Sequence, residues 1–188
     1  MRFFLPLFAA LALVPPVLSA GQLSGRRAPG FALPEVVTFN YHDLYDYRGK
    51  VVVLEFMRSD CPACNTFPKV VEKIRNQFGP KVAVLTIVMP PDNANTVGAF
   101  IATHRFKNPI LFDMGQVAAV YMKVTPKNPT VSLPHIFLID ANGWIKNDFP
   151  HTAGTEAIFD GGEPLLKELE AMLTAAPKPA GKQPAAKK

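Results

Sequence analysis

Cysteine is scarce in this chain: 188 residues hold two of them, with a single tryptophan and no internal repeat. Two cysteines leave room for one disulfide at most, so their spacing has to decide what they do. An excess of one charge is also missing from the body of the chain. The net charge of +5 is accounted for by Arg2 near the start and by Lys178, Lys182, Lys187 and Lys188 at the end. The neutral middle gives no argument for a nucleic-acid groove, and no nucleic-acid partner is expected. Long apolar runs are lacking too. A membrane span needs about 20 apolar residues, whereas the run from Phe3 to Val14 is short, contains Pro6, and is followed by Pro15 and Pro16. With Arg2 before it and Leu18-Ser19-Ala20 after it, the run has the layout of a secretory signal peptide cut after Ala20. Retention of residues 1–20 as an N-terminal anchor is the alternative. No cysteine follows the segment, which removes a lipid anchor.

The far end, residues 175–188, is built almost wholly of Ala, Pro, Lys, Gly and Gln. It has no large apolar residue whose burial would offset the entropy of ordering, and it reads as a disordered tail. Weak contact with an anionic membrane surface is open to it. Residues 21–174 remain, enough for one domain with its own core.

Within that domain, Phe31-Ala32-Leu33-Pro34 suggests a hairpin-like start. Val51 to Met57 is a continuous apolar run of the kind buried on both faces of a sheet. Phe67, Val70, Val71, Ile74 and Phe78 recur at helical spacing within Pro62–Phe78, and Gly79-Pro80 stops them. Val82–Met89 is a second buried strand, Pro90-Pro91-Asp92-Asn93 a break, and Val97–Arg105 a helix. Ile110–Phe112 reads as a short edge strand and Val117–Met122 as a short helix. Thr125–Ser132 is a loop, His135–Asp140 a strand, Ala141-Asn142-Gly143 a turn, and Trp144-Ile145-Lys146 the start of a returning strand. Leu165, Leu166, Leu169 and Leu173 place a helix over Pro164–Leu173. Alternation of strand and helix predicts an α/β fold around a largely parallel sheet.

Cys61-Pro62-Ala63-Cys64 falls where a buried strand ends and a helix begins. The thiolate is the reactive form of cysteine, and the unpaired N–H groups of a helix start stabilise it. Pro62 suits the first helical position. The expectation is an outward Cys61 that attacks a partner disulfide and a shielded Cys64 that resolves the mixed disulfide. A merely structural bridge is the weaker reading. By the chain-entropy estimate a four-residue loop gains only about 2 kcal/mol, against roughly 4.7 for a hundred-residue loop.

Three further features bear on that pair. Glu55 is the one charged residue of the buried strand, and a carboxyl in an apolar wall has its pKa raised toward neutrality. It is the candidate to move the proton of Cys64. Pro68, inside the helical pattern, predicts a kink that frees the carbonyl of Cys64. Leu133-Pro134-His135 stands just ahead of a strand, where a cis proline would leave a backbone edge for a substrate chain.

Strand, Cys-x-x-Cys, helix and a later apolar-Pro before a strand together resemble the thioredoxin superfamily. The likeness is closer to the periplasmic TlpA-like and cytochrome c maturation reductases. It is carried by Ala28-Pro29-Gly30-Phe31, by Leu44 with Arg48-Gly49-Lys50-Val51-Val52-Val53-Leu54, and by Leu133 through Asp140 with Gly143. The resemblance implies a thioredoxin-like three-layer fold with a central mixed sheet flanked by helices. It further implies a redox pair at Cys61 and Cys64, a buried acid at Glu55, a cis Pro134, and no metal or organic cofactor. The task it implies is reduction of disulfides in exported, periplasmic partner proteins, with electrons from a membrane thiol carrier.

Some positions depart from that pattern. Asp60 and Met57 replace aromatic residues, and Phe67 stands where many such reductases carry an acid. Asp60, with Pro62 and Ala63, is expected to tune the pair. Its charge opposes a thiolate at Cys61 by about 1 kcal/mol in water-like surroundings, while a helix end returns roughly 0.3 to 1 kcal/mol. The two nearly cancel, leaving both directions of electron transfer open. Copper delivery through Cys61, Cys64 and a histidine is the rival function, with His135 the candidate third ligand and His104 or His151 behind it. A cysteine peroxidase usually wants Thr or Ser three residues before the attacking cysteine, where this chain has Arg58. A non-catalytic module on the same fold would normally have lost the cysteines.

Overall fold

A computed structural model describes residues 21–175; the segment read as a signal peptide and all but the first residue of the tail read as disordered lie outside the described residues. The chain opens with a small antiparallel hairpin, β1 (Ala32–Pro34) on β2 (Tyr41–Asp43). Next come the fully buried β3 (Val51–Phe56), the helix α1 (Phe67–Phe78), β4 (Val82–Val88) and α2 (Ala94–His104). The remainder is β5 (Ile110–Phe112), α3 (Gln116–Tyr121), β6 (His135–Ile139), β7 (Ile145–Pro150), α4 (Glu156–Phe159) and α5 (Glu163–Thr174). Strands β5-β4-β3-β6-β7 form one mixed sheet, with β3, β4 and β5 parallel and β6 and β7 antiparallel to their neighbours.

The pleat of β3 explains why its run of apolar residues is unbroken. Successive side chains point to opposite faces, and here both faces are covered. Val51, Val53 and Met57 join a core built from Phe67, Val70, Val71 and Ile74 of α1 with Leu165 and Leu169 of α5. Val52, Leu54 and Phe56 join the opposite core, with Phe31, Tyr121 and Phe137. Each face is dry, so every alternate position is apolar except Glu55.

Pro68 behaves differently from the expectation. The helix does not run from Pro62 through a kink. Cys64–Thr66 forms a 3-10 turn and α1 begins at Phe67, so Pro68 falls in the first helical turn. There its missing N–H would have had no intrahelical partner. The carbonyl of Cys64 is not freed: it accepts the N–H of Phe67. Pro62, in consequence, belongs to the turn ahead of the helix.

The β6–β7 turn is built as its sequence suggests. Asp140 Oδ1 accepts the N–H groups of Asn142 at 3.0 Å and Trp144 at 2.9 Å, and Gly143 takes a positive φ of 81° that a side chain would oppose. The guanidinium of Arg48 donates to the carbonyl of Asn142, which locks the start of β3 to this distant turn. Among the described residues no helix is long and apolar enough to cross a membrane.

Candidate active site

The site lies where β3 ends. Because β3 and β6 are antiparallel and Phe56 pairs with His135, the carboxyl end of β3 and the amino end of β6 share one edge of the sheet. The loop carrying the cysteines leaves from the first, and Leu133-Pro134 arrives at the second. The Leu133–Pro134 peptide bond is cis. Pro134 and the residues after it are buried, whereas Leu133 is half-buried. The carbonyl of Pro134 accepts the N–H of His151 at 3.0 Å.

Cys61 and Cys64 differ sharply in exposure. Both are free thiols, Cys61 half-exposed and Cys64 fully buried. The N–H of Cys64 points at Cys61 Sγ at 3.3 Å, and the N–H of Asn65 at the carbonyl of Cys61 at 3.2 Å. An amide N–H aimed at the outer sulfur is the partner that a negative sulfur requires. Burial pushes the Cys64 thiol far above its usual range, and its contact with Cys61 adds to that. A backbone hydrogen bond from Arg58 opposes the shift, while the charge of Glu55 reinforces it. The geometry therefore separates an accessible sulfur from a protonated, shielded one.

Glu55 shares the α1-side face with Val53 and Met57, the face on which Cys64 sits. It is 1% exposed. Desolvation raises its pKa to about 8, against the downward pull of one hydrogen bond from Thr86. That bond, from Thr86 Oγ1 to Glu55 Oε2, is 2.8 Å; Oε1 is buried with no partner among the described residues. A carboxyl held near neutrality beside a thiol that resists ionisation is suited to exchange a proton with it.

Asp60 does not stand alone as a charge beside Cys61. Its carboxylate meets the Arg58 guanidinium at 2.6 Å, with the two side chains 62% and 40% exposed. An exposed pair of this kind is worth at most about 1 kcal/mol, and it sets a cation beside the Asp60 charge next to Cys61. Pro62 is exposed and Ala63 half-buried, and the carbonyl of Ala63 accepts Thr66 Oγ1 at 2.9 Å.

His135 is the clear correction. Residues directly opposite in an antiparallel pair share a face, so His135 lies with Phe56 on the face away from Glu55 and Cys64. Its ring stacks on Phe137 at 4.5 Å, its Nε2 lies 3.2 Å from Asp148 Oδ2, and it is 4% exposed. As a side chain it is neither a substrate contact nor a third ligand for the cysteines. His104 Nε2 is 3.2 Å from Asn65 Oδ1, and His151 packs on Phe159. Among the described residues no group of three or more His, Cys, Asp or Glu is placed to hold a metal ion, and the copper reading has no site.

Sequence reasoning passed over Thr86 and a second support. Asp92, 6% exposed, accepts Ser59 N–H at 3.0 Å, the Ser59 hydroxyl, and Thr96 Oγ1 at 2.8 Å. It ties the loop just before Cys61 to the start of α2. A signal was present: Asp92 precedes Asn93-x-x-Thr96, which forms a capping box at that helix.

A buried acid, an outer and an inner cysteine, and a cis proline on one sheet edge define a thioredoxin-like protein of the thiol–disulfide oxidoreductase class. The chain belongs to the AhpC/TSA family, whose model matches residues 24–147. It is 27% identical over 129 residues to the thioredoxin-like protein YneN of Bacillus subtilis, covering 68% of this chain and 71% of that one. A Chlorobium tepidum structure provisionally named thiol:disulfide interchange protein DsbE superposes with a TM-score of 0.65 at 25% identity, covering 80% of this chain and 97% of that one. The exposed lipoprotein thioredoxin of Streptococcus pneumoniae superposes with a TM-score of 0.59 at 25% identity, over 76% and 99% of the two chains.

Proposed function

We propose that the protein is an exported disulfide reductase acting on the disulfides of partner proteins through Cys61-Pro62-Ala63-Cys64. The observation that carries this reading is the asymmetry of the pair, an accessible Cys61 and a buried Cys64 beside Glu55. Cys61, as thiolate, attacks one sulfur of a partner disulfide; a Cys61–partner disulfide forms and the other partner sulfur leaves, taking a proton. Cys64 then gives its proton to the ionised Glu55 carboxylate and attacks Cys61 Sγ. The second partner thiol is released, and the Cys61–Cys64 disulfide is left behind. A membrane thiol carrier restores the pair: two of its thiols give up two electrons and become a disulfide as Cys61 and Cys64 return to thiols. Leu133, set by the cis bond to Pro134, offers its backbone to the partner chain at the amino end of β6, where Pro134 itself is held by His151. No organic or metal cofactor enters the scheme.

Support for the reducing direction comes from what the fold does to the inner thiol. A strong oxidant is one whose reduced, thiolate-bearing form is stabilised. Here burial disfavours ionisation of Cys64, so the inner cysteine adds no thiolate stabilisation to the reduced form. Equilibration of the pair with glutathione is expected to give a potential nearer about −270 mV than about −120 mV. A value near the upper figure would make the protein an oxidant.

Export rests on residues 1–20 read as a leader cut after Ala20, and the exposed lipoprotein among its relatives fits the same compartment. The periplasm is the expected location, and the basic tail brings weak attraction to anionic membrane surfaces.

A further inference from the structure

Strand β7 carries two buried polar side chains, Asn147 and Asp148, each 3% exposed, and the redox chemistry uses neither. Burying a carboxylate costs several kcal/mol unless partners compensate. Asp148 Oδ2 has His135 at 3.2 Å. The rest of the partnership comes from the N-terminal segment: Gly21 N–H donates to Asn147 Oδ1 at 2.8 Å, and Leu23 N–H to Asp148 Oδ1 at 2.9 Å. A Cβ placed on Gly21 would overlap the Asp148 carboxylate and the Asp148 backbone carbonyl. Only glycine lets the backbone come so close.

We propose that this groove is a seat for the α-ammonium group created at Gly21 when residues 1–20 are removed by proteolysis. The inference rests on the leader-peptide reading above. A peptidase of the exported-protein processing class hydrolyses the Ala20–Gly21 bond, water giving its hydroxyl to the Ala20 carboxyl and its hydrogen to the Gly21 amine, which takes up a further proton. The amide offers one donor; the ammonium offers three and a positive charge. One N–H keeps Asn147 Oδ1, and the charge lies against Asp148. Arg26 is the other cation whose charge reaches Asp148. Two of its five donors are engaged elsewhere, Nε with the carbonyl of Leu23 at 2.8 Å and Nη2 with the carbonyl of Tyr121. The groups facing the seat are thus Asp148 from β7, His135 from β6 and Arg26 from the segment itself, with Tyr121 beyond Arg26. Asp148 also meets His135, the residue after Pro134, so maturation fastens the N-terminal segment to the strand pair β6–β7 that opens the redox site.

The test uses the full chain, exported and purified from the extracytoplasmic fraction. Intact mass is expected to place the N-terminus at Gly21, and a different start overturns the proposal. Nitrogen-15 NMR of the Gly21 amine is expected to show a midpoint at least one pH unit above the ordinary value of about 8, with Asp148→Asn returning it to that value. Because Asp148→Asn also disturbs His135, a second variant inserts one serine between Ala20 and Gly21, moving the amine out of the groove while Asp148 is kept. Its amine is expected to titrate normally. An ordinary midpoint for the Gly21 amine, or an equally raised one in the insertion variant, overturns the seat. Insulin reduction by the same preparation separates the two readings: inactivity with a raised midpoint sinks the reductase alone, and activity with an ordinary midpoint sinks the seat alone.

Discussion

Thr86 donates its hydroxyl to one oxygen of Glu55 at 2.8 Å, across a parallel strand pair in which the two residues are directly in register. The other oxygen is buried and unpartnered among the described residues. One hydrogen bond against full desolvation leaves the neutral acid favoured, with a pKa near 8 in place of 4.5.

Glu55 should therefore contribute a pH dependence of its own to stability. The neutral form is the one the fold prefers, so the contribution is fully present below the ordinary carboxyl value and is lost as pH rises through about 8. Between those limits Glu55 makes the protein less stable by up to about 1.4 kcal/mol per pH unit. Urea unfolding of Glu55→Gln across this range should show that slope removed. The same slope in both proteins would place the titration elsewhere.

Thr86→Val removes the hydrogen bond that lowers the Glu55 pKa. The midpoint of the Glu55 titration should move upward, and the pH at which mixed disulfides resolve should move with it. Stopped-flow resolution rates across pH check this, and a downward shift would contradict the assigned role.

Asp92→Ala should loosen the loop before Cys61 without touching either sulfur. The Ser59 amide and hydroxyl and the Thr96 hydroxyl all lose an acceptor; Ser59 is half-buried and Thr96 exposed, so water replaces it in part and each lost bond costs about 0.5–1.5 kcal/mol. Hydrogen exchange should speed up at Ser59 and at the first turn of α2, with little change in β6. Uniform loss of protection would instead mean that Asp92 supports the whole fold.

Those parts of the architecture that repeat within a few residues are legible in the amino-acid sequence alone. The apolar run of β3, the helical spacing of α1 and α5 and the Cys-x-x-Cys between β3 and α1 are local patterns, and the fold class follows from their order. What escaped depends on long-range placement. The pleat sends His135 away from the face that Glu55 and Cys64 share, and the phase of β6 against β3 is not a property of either segment alone. The Arg58–Asp60 pair needs a loop conformation to bring its charges together. Thr86 becomes a partner of Glu55 only through strand register, and Pro68 starts a helix because a 3-10 turn at Cys64–Thr66 delays it.

The division of labour between the cysteines is tested most directly by trapping. Cys64→Ala, incubated with a disulfide-bearing protein such as insulin and then alkylated, should accumulate a mixed disulfide that peptide mass mapping places on Cys61, and Cys61→Ala should accumulate none. A stable adduct on Cys64 in the Cys61→Ala protein, or full insulin reduction without Cys61, would show that the exposed sulfur is not the attacking one.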